Sequence, residues 1–487
     1  MGADGEALDE HLQRPRGRGH TPAQAFTGAA GGANCGDLVR VSLAIDAASA
    51  DGRILDAGFD AHGCGATLAA GSAVVALLRD ATLLDAARIG AAEIAHELGG
   101  LSAPKRHAAE LASDALARAL GQAARGRASL ARAPGRTLVA MSGGVDSAVA
   151  ALLIAREGAQ AVAVTLELWS DPQNDGDLSC CSAQAVRRAR ALAHALGLPH
   201  VSIDLRAEFR AGVVDPWLAE HAAGETPNPC VRCNGSVRLD AMLELAERLG
   251  CETLATGHYA RVEKSSGEPP LLRVAADERK DQSYVLAALA PASLARMRFP
   301  LGELQKPQVR ELALRDGLEV GARRDSQDLC FLAGTRASAF LERHGSLAPT
   351  PGPIVDRDGR LLGEHAGVHT VTVGQRRGLA IAAREPLYVL ASDARSNTVT
   401  VGPREALRAR DVRVRELVLH RDGARVDGVR VRSHGRTFPC RLASRLPAGR
   451  HAGALIALDA DAERTAAGQL ACLYAGDLVV GHGTVCA

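Results

Sequence analysis

Apolar and polar positions alternate over residues 39–45 and 54–59, on either side of the turn Asp51-Gly52. Alternation of this kind predicts half-buried strands. Over 66–78, 83–88 and 108–120 the apolar positions recur at helical spacing instead. Residues 35–120 thus read as a small α+β unit. Residues 1–34, rich in Gly, Arg and polar side chains, show neither period and are expected to begin as a mobile tail. Residues 121–136 include Pro134-Gly135 and read as a linker.

From Thr137 the pattern changes. Short apolar runs at 137–141, 161–169, 200–205 and 252–259 alternate with helical periods at 147–157, 182–196 and 238–249. Strands separated by helices of this length predict a parallel, doubly wound sheet. Beyond about residue 345, short β runs at 369–373, 386–390 and 397–401 are separated by turn residues, which predicts an all-β tail of one or two small barrels. The expected plan is multidomain. An N-terminal α+β domain (1–125) is followed by a central α/β doubly wound parallel-sheet domain (136–345) and two C-terminal all-β barrel-like domains (346–405 and 406–487). The length of 487 residues alone suggests about three domains.

Composition alters this picture in three places. The net charge of +1 would not suggest nucleic acid. It conceals residues 401–450, with 13 arginines against five acidic residues, a net charge of +8. Arginines clustered on a β module suit a phosphate backbone, or else form a solvated strand face. The uncharged run 61–78 is rich in Ala and Gly and reads as a buried helix rather than a membrane span. The acidic start of the chain does not read as a secretory signal. The eleven cysteines are an odd number without disulfide spacing, which favours a reducing cytoplasm.

The sharpest motif is Ser142-Gly143-Gly144-Val145-Asp146-Ser147, between an apolar strand and a helix. Two glycines let the backbone turn its N–H groups inward, two hydroxyls add donors, and the helix N-terminus favours an anion. The Gly-Lys-Ser/Thr ending of a Walker loop is missing. Asp146 would repel an anion here unless it meets Mg²⁺ or points away. The motif resembles the pyrophosphate loop of the PP-loop ATPases, which cleave ATP to AMP and pyrophosphate.

Downstream come Thr226-Pro227-Asn228-Pro229-Cys230-Val231-Arg232-Cys233-Asn234, then Thr256-Gly257-His258-Tyr259, Lys280-Asp281-Gln282, and Asp325-Ser326-Gln327-Asp328-Leu329-Cys330-Phe331. A Cys-x-x-Cys suits a redox pair, half of a metal site or a persulfide relay. With Thr372-Val373-Gly374-Gln375-Arg376-Arg377-Gly378 and Gly468-Gln469, the ordered set resembles the tRNA-specific 2-thiouridylase family (MnmA) from about Thr137 to the end. The resemblance implies an enzyme that uses ATP and Mg²⁺ to replace the C2 oxygen of the wobble uridine by sulfur. Ala140, Met141, Ser142, Gly143, Gly144, Val145, Asp146 and Ser147 would hold the phosphates, and Leu166 and Gly257 match adenosine-contact positions. Cys330 matches the persulfide-bearing cysteine and Cys233 the nucleophile, with a Cys233–Cys330 disulfide as the by-product. Asn228, Pro229 and Cys230 match the segment that meets the base. His258, Lys280, Asp281, Gln282, Arg432, Ser433 and Gln469 match tRNA-contact positions.

The commoner family pattern has Asp where this chain has Cys230. Cys230, Cys233 and Cys330 therefore offer an alternative, the three protein ligands of a [4Fe-4S] cluster with one iron open to sulfide. Two readings from other classes remain: a non-catalytic iron–sulfur carrier, against which the intact phosphate loop argues, and a small-metabolite ligase, against which the Arg-rich tail argues.

Asn34-Cys35-Gly36-Asp37, His62-Gly63-Cys64-Gly65 and Lys105-Arg106-His107 resemble the iron–sulfur scaffold family (IscU, or the N-terminal domain of NifU). Cys35, Asp37, Cys64 and His107 fall on its ligand positions, which would hold zinc or a labile cluster, unless the domain is a degenerate one kept as a docking site for a cysteine desulfurase. Ala108 stands where the third scaffold cysteine is expected. A cysteine desulfurase or sulfur carrier is the implied partner. Cys180 and Cys181 match no chemical pattern, and Cys251, Cys440, Cys472 and Cys486 read as packing residues.

Overall fold

The computed structural model describes residues 6–32, 36–171, 182–322, 329–332 and 334–486. Cys35, Cys180, Cys181 and residues 325–328 of the Cys330 motif therefore lie outside the described residues. The chain forms two compact units. The first comprises Met1–Ala207, Ala241–His258 and Arg296–Ala333; the second comprises Glu208–Asp240, Tyr259–Ala295 and Gly334–Ala487.

The first unit opens with an antiparallel sheet of β1 (Phe26–Gly31), β2 (Leu38–Ile45) and β3 (Ile54–His62), in that order. Val39, Val41 and Leu43 of β2 and Phe59 of β3 are buried against helices Gly65–Leu77 and Arg106–Gly126, as their alternation predicts. Two expectations fail here. Glu6–Gln13 is a helix and β1 is fully paired with β2, so the first 34 residues are not simply a tail. The sequence of β1, FTGAAG, carries too few large apolar residues to show a period. Helix Arg106–Gly126 also runs on through the start of the expected linker.

The same unit contains a parallel sheet. β4 (Thr137–Ala140), β5 (Ala161–Glu167), β6 (His200–Asp204) and β7 (Thr253–Ala255) join the short strand Met297–Arg298 in the order Met297–Arg298, β7, β4, β5, β6. Every residue of β4 and β5 is buried, which is why both read as unbroken apolar runs. The chain moves outward from β4 to β5 to β6 and then returns to the other side of β4, so the order reverses between β4 and β7. Open α/β sheets bind ligands at such a reversal, beyond the carboxyl ends of the strands.

The scaffold-like part covers the edge strand β6. The Arg125 guanidinium donates to the Asp204 carbonyl at 2.8 Å and the His200 N–H to the Ala87 carbonyl at 2.8 Å. A Cβ on Gly121 would lie 1.8 Å from the Ser202 carbonyl oxygen, so only glycine admits this approach of helix to strand.

In the second unit, Leu361–His365, Gly352–Val355, Thr398–Gly402 and Tyr388–Asp393 form a four-stranded sheet in that order. The run 369–373 is not a strand: Val368–Thr370 is a 3₁₀ turn and the following residues lead into a loop. Of this run only Val371 enters a small core, with Ile354, Val389 and Val399, and none of it joins a ladder. The larger sheet runs Arg408–Leu419, Gly449–Glu463, Phe438–Leu442, Gly428–Arg430, Leu470–Ala475, Leu478–Val485. Its first and last strands pair, closing a six-stranded barrel around Leu417, Val429, Ile456 and Leu473. The hairpin Arg261–Glu263/Leu271–Arg273, far earlier in sequence, adds to the edge of Leu478–Val485. Among the described residues no helix is long and apolar enough to cross a membrane.

Candidate active site

The phosphate loop leaves the carboxyl end of β4 and enters helix Val145–Arg156. Gly143 takes φ +71°, a region glycine enters without strain, and Gly144 caps the helix in an extended conformation. The Ser142 N–H donates to Ser147 Oγ at 3.1 Å, and the Ser147 hydroxyl donates to the Gly144 carbonyl at 3.0 Å. The loop is thus pre-shaped by its own side chains, with helix N–H groups at its mouth. Ala140 and Met141 are buried beneath it, and Met141 accepts from the Thr165 hydroxyl at 3.0 Å. His200, fully buried beside Thr165, is held well below the ordinary imidazole range by desolvation and stays neutral.

Gly257 lies where the chain leaves β7. A Cβ there would stand 2.7 Å from the Asp146 carbonyl carbon and from the Ser147 nitrogen. Glycine is thus required for the β7 loop to reach the first turn of the phosphate helix. Leu166 is buried in β5, and Glu167 beside it receives both a 2.8 Å and a 3.0 Å hydrogen bond from Arg118 of helix Arg106–Gly126. His258 is nearly buried, its Nδ1 2.8 Å from Thr256 Oγ1 and its ring edge-on to Phe299. Cys330 opens the 3₁₀ turn Cys330–Leu332, partly exposed, and Phe331 meets Trp169 edge to face at 6.5 Å.

In the second unit, Asn228 caps the helix Pro229–Arg232 by accepting the Cys230 N–H at 3.1 Å. Cys230 is partly exposed and Cys233 buried. Their spacing of three along a helical backbone puts them on one face, a turn apart. The segment before them is clamped. Arg415 grips the Glu225 carboxylate at 2.7 and 2.9 Å, the Thr226 N–H donates to the Ala467 carbonyl at 2.8 Å, and the Gln469 amide donates to the Thr226 carbonyl. Gln469 therefore holds the Asn228-Pro229-Cys230 segment from the barrel side.

Asp281 is also committed to the protein. It is buried, accepts from the Ala275 and Ser283 N–H groups at 3.1 and 3.2 Å, and pairs with Arg430 at 2.7 Å. Gln282 accepts the Tyr259 N–H at 2.9 Å. Both shape the loop that carries Lys280. Arg432 lines a cleft of about 610 Å³ with Arg404, Arg408, Arg436 and Phe438, and Ser433 follows it in the turn. The basic run thus has a concave surface, although Glu463 and Asp461 temper it by pairing with Arg404 and Arg410 at 2.6 and 2.7 Å.

Sequence reading missed Lys306. Its Nζ lies 2.7 and 2.8 Å from the two carboxylate oxygens of Asp146, which explains how an acidic residue stands in an anion loop.

Four family profiles match in order: "NifU-like N terminal domain" over 4–128, "tRNA methyl transferase HUP domain" over 135–334, "tRNA methyl transferase PRC-barrel domain" over 338–403 and "Aminomethyltransferase beta-barrel domain" over 412–485. The chain is 43% identical over 449 residues to the "Bifunctional protein NifU/MnmA" of Rubrobacter xylanophilus, covering 90% of each. It belongs to the bifunctional NifU/MnmA family. Proteins named "tRNA-specific 2-thiouridylase MnmA" match its later part: that of Thermobifida fusca at 44% identity, covering 72% of this chain and 95% of that protein, and that of Magnetococcus marinus at 48%, covering 56% and 77%.

The NifU/MnmA family uses ATP with Mg²⁺, and the residues present fit both: N–H and hydroxyl donors for phosphate, and a carboxylate at Asp146 for a hard cation. The NifU-like part is less complete. Asp37 accepts the Cys64 N–H at 3.2 Å and the Thr67 hydroxyl at 3.1 Å, and His107 Nε2 is 3.9 Å from the same carboxylate. The Thr67 hydrogen bond lowers the Cys64 thiol below its usual range, and Cys64 caps helix Gly65–Leu77. Among the described residues no group of three or more His, Cys, Asp and Glu side chains is arranged to hold a metal ion. Ala108 is buried in helix Arg106–Gly126 and offers no ligand. A complete donor set would need Cys35.

Proposed function

We propose that the chain thiolates C2 of the wobble uridine of tRNA, adenylating the C2 oxygen with ATP and taking sulfur from a persulfide on Cys330. The broader statement follows from family membership: the chain is a tRNA sulfurtransferase. The observation that carries the reading is the pre-shaped SGGVDS cradle at the reversal of the sheet, in one chain with a clamped Asn228-Pro229-Cys230-Val231-Arg232-Cys233 segment.

A carbonyl oxygen leaves poorly, so the chemistry needs a better leaving group. The loop 140–147 holds the phosphates with Mg²⁺, and Leu166 and Gly257 border the adenosine. The uridine oxygen attacks the α-phosphorus and pyrophosphate leaves. The Cys233 thiolate then attacks the Cys330 sulfur of the persulfide. An S–S bond forms between the two cysteines while hydrosulfide leaves, adds to C2 and expels AMP. A thiol reductant reopens the disulfide. Asn228, Pro229 and Cys230 meet the base. His258, Lys280, Arg432 and Ser433 contact tRNA, with Asp281, Gln282 and Gln469 holding the segments that make contact. A cysteine desulfurase or sulfur carrier loads the persulfide.

Mass spectrometry of tRNA nucleosides from a strain lacking this gene and any second thiolase tests the reading. Loss of 2-thiouridine is expected, and its restoration requires Cys233 and Cys330. Unchanged 2-thiouridine overturns it.

A further inference from the structure

Lys306 is in the wrong place for a structural lysine. It is only 7% exposed, and burying an ammonium demands compensation. It also begins helix Lys306–Arg315, at the positive end of the helix dipole, where cations are disfavoured. Its position is nonetheless tightly fixed. Gln305 and Gln308 form a reciprocal capping box around the first turn, with the Gln305 N–H donating to Gln308 Oε1 at 2.7 Å, and Pro307 stiffens the start. The helix runs parallel to the phosphate helix and is tied to it at both ends, by Lys306 with Asp146 and, ten residues further along each helix, by Asp316 with Arg156. The ammonium is therefore held at the mouth of the phosphate loop.

Asp146, in the first turn of the phosphate helix, is favoured by that helix's dipole while the loop is empty, but it opposes an anion that enters the loop. The buried ammonium is compensated by this carboxylate through two contacts of 2.7 and 2.8 Å. A polyphosphate entering the loop changes the balance. It brings negative charge within reach of the ammonium and repels the carboxylate.

We propose that Lys306 is a phosphate ligand of the nucleotide-bound enzyme, held ready by Asp146 and exchanged from that carboxylate to a phosphate oxygen when ATP binds. The released carboxylate is then available to the hard cation that accompanies ATP. The inference rests on ATP binding at this loop but not on the thiolation chemistry. It concerns which side chains neutralise the triphosphate, and no covalent step is involved.

The two halves of the pair make opposite predictions in the absence of divalent cation. With ATP as the probe, in EDTA, Lys306→Met removes the phosphate ligand and is expected to weaken binding at least tenfold. Asp146→Asn removes the competitor for Lys306 and is expected to tighten binding several-fold. Lys306→Arg keeps a cation and is expected to retain most of the affinity. Titration calorimetry on the full chain reads the three constants, and circular dichroism with a nucleotide-free thermal melt establishes that each variant is folded. A purely structural ion pair moves both removals in the same direction, so weakened ATP binding in Asp146→Asn as well as Lys306→Met overturns the proposal. Wild-type affinity in Lys306→Met also overturns it. Loss of ATP binding by wild-type protein itself would instead remove the nucleotide reading on which the proposal stands.

Discussion

The guanidinium of Arg118, on the long helix of the NifU-like part, grips the buried carboxylate of Glu167 through hydrogen bonds of 2.8 and 3.0 Å. Glu167 ends β5, one residue after Leu166, so the N-terminal part reaches the strand whose Leu166 is proposed to border the adenosine. Asp114 of the same helix pairs with Arg187 at 2.7 Å and with Arg190, on the helix between β5 and β6. Together with the Gly121 approach to β6, these contacts make the NifU-like part a fixed wall of the sheet.

Removing one partner of a buried ion pair leaves an uncompensated charge, at a cost of roughly 3–5 kcal/mol. Arg118 keeps some exposure, so the lower end of that range applies. Arg118→Ala is expected to lower the thermal midpoint by several degrees and to weaken ATP binding. Adding Glu167→Gln is expected to restore much of both, because the buried charge is gone. Equal melts for wild type, single and double variants would show that the contact carries no energy.

Gly257→Ala tests the approach of the β7 loop to the phosphate helix. The new Cβ would sit 2.7 Å from backbone atoms of Asp146 and Ser147, which must move. Misplacement of reacting groups by about 1 Å can cost on the order of 10²-fold in rate. The variant is expected to fold, because the glycine lies in the loop beyond the carboxyl end of β7, and to lose at least tenfold in ATP affinity. Unchanged affinity would place the nucleotide away from this contact.

Much of the fold was legible because burial and periodicity coincide. β4 and β5 are buried on both faces and read as apolar runs, while in β2 the odd-numbered positions from Val39 to Ile45 are buried, matching the alternation in its sequence. What escaped depends on tertiary partners. β1 contributes glycine and alanine, whose value lies in letting a helix come close, and of residues 369–373 only Val371 is taken up by a small core. In the site, the loop and the paired cysteines announce themselves by spacing. Lys306, Arg118 and Glu225 do not, because their roles arise from partners 160, 49 and 190 residues distant along the chain. For Lys306 one signal was available, a lysine at the first position of a proline-started helix.

The grip of Arg415 on Glu225 makes the barrel responsible for the approach to Cys230. Arg415→Ala is expected to loosen residues 224–228 and to raise the KM for tRNA several-fold while leaving ATP affinity as in wild type. Gln469→Ala, which frees the Thr226 carbonyl, is expected to act in the same direction. Steady-state kinetics with tRNA and ATP varied separately reads the split. A loss confined to ATP would contradict the assignment.

Acid stability of the barrel has a definite sign. Burial, then the neighbouring His420 and Arg450, push His482 down to about 4, and burial and Arg421 lower His420. Their rings lie 6.0 Å apart. A histidine with a depressed folded value favours the folded state while neutral, so its contribution is complete above about pH 6.5 and is lost as pH falls towards 4. For His482 the loss is on the order of 2–3 kcal/mol. His482→Gln is expected to flatten the denaturation midpoint between those pH values. The same slope in the variant would assign the acid sensitivity elsewhere.

Cys230 decides between two routes for sulfur. In the persulfide route it is a neighbour of the base, and only Cys233 and Cys330 are required, so Cys230→Ser is expected to retain a measurable fraction of single-turnover thiolation. In the cluster route all three cysteines hold iron, and Cys230→Ser abolishes both the iron and the activity. Cys230 and Cys233 stand a turn apart on one backbone face, a spacing compatible with either. On the persulfide route, protein purified without oxygen is expected to be colourless, free of acid-labile sulfide, and active once a desulfurase has loaded it. Near-stoichiometric [4Fe-4S] that disappears in Cys230→Ser, together with activity, would replace the persulfide relay by the cluster.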